Sequence, residues 1–204
     1  MTPLTVRSHY SLMWGTCAPA AICAAARQRG YSRLALTDAD NLYGLWPFLD
    51  GCEAEGLQPI VGAEVTAPKS PLRAVCLVEN PVGYRNLCGL ITRRHCDPEF
   101  DLESGVTRHA EGLVVLTRSP ELLARWHHAG LAVYGALPRR PDGAALRLRQ
   151  AARRLGVPTV ATPGSFFLDP AEFSLHRVLR AIAGNTTLDR LPAGAAAPAD
   201  AWLA

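Results

Sequence analysis

The side chains able to do chemistry are few, and most fall just after short apolar runs. His9 follows Leu4–Val6, Asp38 and Asp40 follow Leu34–Leu36, and Glu64 lies near the end of Ile60–Val65. Histidine and carboxylate donors converging on one point, with a position left open for water, make a hydrolytic metal site. His9, Asp38, Asp40 and Glu64 form a partial set of that kind. The last such position, Pro163-Gly164-Ser165-Phe166, adds no donor. Other chemistries lack their signatures: there is no Gly-rich phosphate loop, Ser-His-Asp order or HExxH. The six cysteines, Cys17, Cys23, Cys52, Cys76, Cys88 and Cys96, include no C-x-x-C pair, which leaves zinc-ribbon and thioredoxin-like chemistry unsupported. Several occupy apolar positions, where a free thiol behaves as a small hydrophobe.

Each candidate has a plainer reading. A lone His9 reads as a polar loop residue. Asp38, Asp40 and Asn41 read as a cluster that caps the next helix and orders the turn. His95, His109, His127 and His128 have no paired spacing, and His176 lies on the last helix as a packing residue. Arg147, Arg149, Arg153 and Arg154 could face DNA, but they wrap around more than one face, so a solvated surface is the default reading.

The elements that must position these residues alternate. Strands are expected at Leu4–Val6, Leu34–Leu36, Ile60–Val65, Ala74–Val78, Leu113–Thr117, Leu131–Ala136 and Thr159–Ala161. Helices are expected at Pro19–Arg29, Leu45–Glu55, from Asn80-Pro81, from Ser119-Pro120, Asp142–Gly156 and Asp169–Gly184, each opened by a cap or proline and most closed by glycine. Cys96–Arg108 reads as a polar loop. Trp46 and Trp126 lie on helices and are expected in the core. Alternation of this kind predicts an α/β protein with a mostly parallel sheet, either a closed barrel or a doubly wound sheet, with function at the carboxyl ends of the strands. Residues 1–191 form the expected domain. Residues 192–204, rich in Ala and Pro, read as a tail or linker.

Composition sets the outer bounds. The chain has 204 residues, 49% hydrophobic and 19% charged, with a net charge of +3. That is globular rather than disordered. No apolar run approaches the roughly 18 residues of a membrane helix. No signal peptide is visible, and the unpaired cysteines fit a reducing cytoplasm. Lys69 is the only lysine among 21 basic residues, a skew expected from a GC-rich genome.

The segment Leu4-Thr-Val-Arg-Ser-His-Tyr-Ser-Leu-Met-Trp-Gly-Thr16 resembles the opening motif of the PHP (polymerase and histidinol phosphatase) domain at the start of bacterial DNA polymerase III alpha subunits. Leu34-Ala-Leu-Thr-Asp-Ala-Asp-Asn-Leu-Tyr-Gly44 resembles the second motif and Pro59-Ile-Val-Gly-Ala-Glu64 the third. Gly83-Tyr-Arg-Asn-Leu87, Ala161–Phe167 and the helix with His176 and Val178 match later features. Asn41–Gly44 and Gly62–Glu64 are closest to the error-prone branch.

The resemblance implies a (β/α)7 PHP-type distorted barrel with a metal centre that hydrolyses phosphoesters in active members. Here the ligand positions diverge. The opening His-x-His is replaced by Thr5 and Arg7, a following aspartate by Trp14, the second-motif histidine by Ala39, and the late Asp-x-His by Gly164 and Phe166. The ligands expected after the fourth and sixth strands have no counterpart. The implied reading is a degenerate, non-catalytic PHP domain of a C-family DNA polymerase, a scaffold or subunit-interaction domain inactive alone. No catalytic residue and no cofactor are then expected; a bound ion, if any, would be divalent Zn or Mn on the vestigial set His9, Asp38, Asp40 and Glu64. Arg7 is expected to lie near Glu64. The implied partners are the rest of an alpha subunit or other replication and repair subunits, with DNA met indirectly and no membrane. Two alternatives remain: a metal-dependent phosphoesterase or exonuclease using the rearranged ligand set, and an accessory DNA-binding module.

Overall fold

The computed structural model describes residues 2–203. Its elements are α1 (Pro19–Gln28), β1 (Arg33–Ala39), α2 (Leu45–Glu55), β2 (Gln58–Thr66), β3 (Arg73–Val78), α3 (Pro81–Cys96), α4 (Leu102–Arg108), β4 (Leu113–Thr117), α5 (Pro120–His128), β5 (Val133–Leu137), α6 (Gly143–Leu155), β6 (Thr159–Ala161) and α7 (Phe173–Ala183). The six strands form one sheet in the order β1-β2-β3-β4-β5-β6. The α/β class expected from alternation is present.

The sheet is mixed, which corrects the expectation of a mostly parallel one. β2 pairs antiparallel with β3 (Glu64 opposite Val75), and β3 antiparallel with β4 (Cys76 opposite Val115). β4–β5 and β5–β6 are parallel. The reason at β2–β3 is loop length. Residues 67–72 close a hairpin through Ala67 N–H to Leu72 O, whereas a parallel crossover needs a dozen residues or more.

Leu4–Val6, expected as the first of seven strands, makes only an isolated bridge, Val6 to Ser165. It is bonded on two sides, by Ala35 and Thr37 N–H to Pro3 O and Val6 O, and by Ser165 N–H to Thr5 O. The donors are two residues apart and the acceptors three, so the ladder is bulged. Pro3 also has no N–H to contribute.

The chain divides into two compact units. The first comprises Met1–Asp38, Leu42–Ile60 and Gly164–Ala204; the second comprises Ala39–Asn41 and Val61–Pro163. The first unit's core joins Val6, Ile22, Ala26, Leu34, Leu36, Phe48, Cys52 and Leu203. In the second, Leu87, Leu90, Val115, Leu123, Trp126 and Leu148 are fully buried.

Three local expectations are corrected. Part of the Cys96–Arg108 loop is helix α4, because Asp101 caps it at Ser104 N–H and Leu102 and Val106, four apart, are buried. Trp46 is 70% exposed, since Leu45, Phe48 and Cys52 carry the buried face of α2. The tail is docked: Phe167 bridges Trp202, Leu203 N–H donates to Phe167 O, and Leu203 is buried.

Candidate functional site

In the first unit β1 delivers Asp38 fully buried at its carboxyl end. Its Oδ1 accepts from Ser8 N–H (2.8 Å) and Ser11 Oγ (2.6 Å), and its Oδ2 from Ser8 Oγ (2.7 Å). The carboxylate therefore organises the loop before α1. It does not cap α2, whose N-cap is Gly44 with no side-chain bond. Ser8 and Ser11 are hydrogen-bond partners of Asp38 that the sequence did not reveal. Their signal was the three-residue spacing across a turn, closed here by Ser11 N–H to Ser8 O.

Around that loop the positions where the resemblance leads one to expect ligands hold cations and rings. Arg7 is buried, with its guanidinium carbon 4.7 Å from the Phe166 ring centre and 5.3 Å from that of Trp14. Arg180 lies 3.7 Å from the Trp14 ring centre, and its Nε donates to Ala195 O. Such cation–π stacking holds a desolvated guanidinium in place. Buried His176 is paired at both nitrogens: Nδ1 donates to Trp14 O (2.7 Å) and Nε2 accepts from Ala197 N–H (2.9 Å). Burial pushes its pKa below the usual 6.5, with Arg180 and Arg7 adding to the shift and the Trp14 bond opposing it. His9 is exposed, edge-on to Tyr10 with ring centres 4.5 Å apart.

In the second unit Asp40 sits at a positive φ of 54°. Its Oδ1 accepts from Thr66 N–H (2.8 Å), its Oδ2 from Thr66 Oγ1 (2.6 Å), and Arg94 lies 3.5 Å away. His95 Nε2 meets Asp40 O at 2.6 Å. Asp40 thus clamps β2 to α3 rather than capping α2. Arg94 and His95 were not visible as its partners in the sequence, because α3 is remote in chain order. Glu64 is buried and accepts from Arg73 at 2.9 Å, across the β2–β3 hairpin. The sequence did not suggest Arg73 as its partner.

These residues do not fit a divalent ion. Asp38 spends both oxygens on serines, Asp40 spends both on Thr66 beside Arg94, and Glu64 faces Arg73. Trp14, Phe166, Arg7 and Ala39 offer no donor a cation would accept. Among the described residues, no group of three or more His, Cys, Asp or Glu side chains is arranged to hold a metal.

Comparison with known proteins matches residues 3–158 to the PHP domain family. The error-prone DNA polymerase of Anaeromyxobacter dehalogenans (strain 2CP-C) is 32% identical over 92% of this chain and 19% of its own length. The DNA polymerase III subunit alpha of Neisseria meningitidis (serogroup A, strain Z2491) is 28% identical over 91% of this chain and 19% of its own. The chain thus spans about a fifth of the relatives it matches. In fold, a candidate metal-dependent phosphoesterase from Bifidobacterium adolescentis superposes with a TM-score of 0.56 at 14% identity, covering 79% of this chain and 86% of that one. On the match of most of its length, the chain belongs to the PHP domain family.

Proposed function

We propose that this chain is a non-catalytic PHP domain serving a bacterial DNA polymerase of the alpha or error-prone type, as a scaffold or subunit-contact domain. The observation that carries the proposal is what fills the positions at which the resemblance implies ligands. Arg7 stacks near Trp14 and Phe166, while Asp38 is consumed by Ser8 and Ser11. A site so filled gives its remaining carboxylates structural work. The seven-stranded barrel belongs to the same proposal, with the bulged Leu4–Val6 segment in the place of a strand. So do the partners, which are the remainder of such a polymerase or its replication and repair subunits, working in the cytoplasm. Among the described residues no helix is long and apolar enough to cross a membrane.

Metal content by mass spectrometry, after incubation with Mn or Zn and desalting, tests the catalytic half. Retention below about a tenth of an equivalent is expected, because Asp38, Asp40 and Glu64 are already engaged, and phosphoester hydrolysis of this type depends on an ion that activates water. One retained equivalent together with phosphate release from DNA ends would overturn the proposal.

A further inference from the structure

Helix α6 presents a charged face that the PHP reading does not use. Arg147, Arg149, Arg153 and Arg154 are all exposed, and Gly143–Leu155 contains no acidic residue. Its buried face is Ala145, Leu148 and Ala152. Arg147 and Arg154, seven apart, form one row, and Arg149 and Arg153, four apart, form another. Leu146 and Gln150 lie between the rows. The first row spans about 10 Å of helix rise.

Several other arginines of the chain are spoken for. Arg29, Arg73, Arg93, Arg94 and Arg125 each meet a carboxylate, and Arg180 meets carbonyls. Among the described residues the four on α6 have no hydrogen-bond or ion-pair partner; Glu121, whose pKa is lowered first by its Ser119 hydrogen bond and then in part by Arg147, is an acidic group that feels this face. Genome composition explains arginine in place of lysine. It does not explain four exposed guanidiniums within eight residues of one helix, none of them in a hydrogen bond or ion pair.

We propose that this face of α6 contacts the phosphate backbone of duplex DNA, without reading sequence. Two rows of guanidiniums flanking a helix of about 10 Å diameter suit a groove lined by phosphates on both sides, such as the roughly 12 Å major groove. Arginine is the residue suited to planar, bidentate phosphate contact. An anionic membrane is the poorer match, because an interfacial helix needs a broad apolar face and the exposed side here offers only Leu146. The choice of DNA rests on the polymerase reading given above; the charge pattern does not.

The test is fluorescence anisotropy of a labelled 20-base-pair duplex titrated with the full chain between 50 and 200 mM salt. Four phosphate contacts give a slope of log K against log salt near −3.6, so affinity falls about 150-fold over that range. Replacing Arg147, Arg149, Arg153 and Arg154 by Ala is expected to remove most of that slope. Ala favours helix, so the variant is expected to fold, and its circular dichroism melt checks this. A second variant replacing the exposed Arg27, Arg33, Arg85 and Arg190 controls for bulk charge and is expected to bind as the parent does. Absence of binding at 50 mM, an unchanged slope in the α6 variant, or an equal loss in the control would overturn the inference. Metal retention with phosphate release from DNA ends would sink the non-catalytic reading and leave this titration intact, so the two fail separately.

Discussion

At neutral pH the imidazole of His176 donates from Nδ1 to Trp14 O and accepts at Nε2 from Ala197 N–H. Only the neutral ring can do both, because imidazolium has two donors and no acceptor. Burial, with Arg180 and Arg7 close by, lowers its pKa from 6.5. The sign of the linkage follows. This group's stabilisation is fully present above the unfolded value near 6.5 and is lost as pH falls toward the lowered folded value. Urea midpoints at pH 7.5 and 5.5 are therefore expected to differ more for the parent than for His176→Asn. An equal difference would show that the ring does not titrate with folding. Replacement by Ala strands a buried carbonyl and a buried N–H, and is expected to cost about 3 kcal/mol or more. The thiols show the opposite use of burial. It pushes Cys76 up to about 12 and, at partly buried Cys17 beside Glu172, is the largest cause of a rise to about 11. Both stay protonated and act as packing groups.

Among the elements, α3 shows how a helix is aimed. Asn80 caps it by accepting from Gly83 N–H at 3.0 Å, and Asn86 reaches Glu111 O at 2.8 Å. A Cβ on Gly83 would lie 1.8 Å from Gly112 O, and Gly112 itself has a φ of +72°. The helix start thus lies directly on the turn before β4, and from there Arg94 and His95 reach Asp40. Gly83→Ala must push backbone from backbone. A loss of at least about 3 kcal/mol, at the upper end of overpacking costs, is expected in chemical denaturation. An unchanged midpoint would mean that this close approach is not held in solution.

Across the whole molecule, the terminal segment is part of the first unit rather than an appendage. Leu203 is buried in the same core as Ile22, Leu34 and Phe48, while Ala197 and Ala201 pack on Phe167. Ala197 also supplies the N–H that pairs with His176. Leu203→Ala is expected to lower stability by about 2–4 kcal/mol, as for other buried leucines. A silent substitution, read by urea denaturation, would restore the tail to the status of linker.

By itself the sequence determined whatever depends on near neighbours in the chain. Alternating apolar runs, prolines at first helical turns and glycines at helix ends were enough for the α/β class and nearly every element. The ordered motifs around Leu4–Thr16, Leu34–Gly44 and Pro59–Glu64 were enough for the family, and that Thr5, Arg7, Trp14, Ala39, Gly164 and Phe166 carry no histidine or carboxylate was plain from residue type. What the tertiary structure alone decided were pairings between distant residues. Asp38 with Ser8 and Ser11, Asp40 with Thr66 and Arg94, and Glu64 with Arg73 are set by strand direction and by where α3 lies. Hydropathy could not show that Trp46 points outward or that an Ala/Pro-rich tail is buried, because a residue's type limits its surroundings without choosing them. A carboxylate is a ligand, a clamp or a cap according to what the fold brings within about 3 Å of its oxygens.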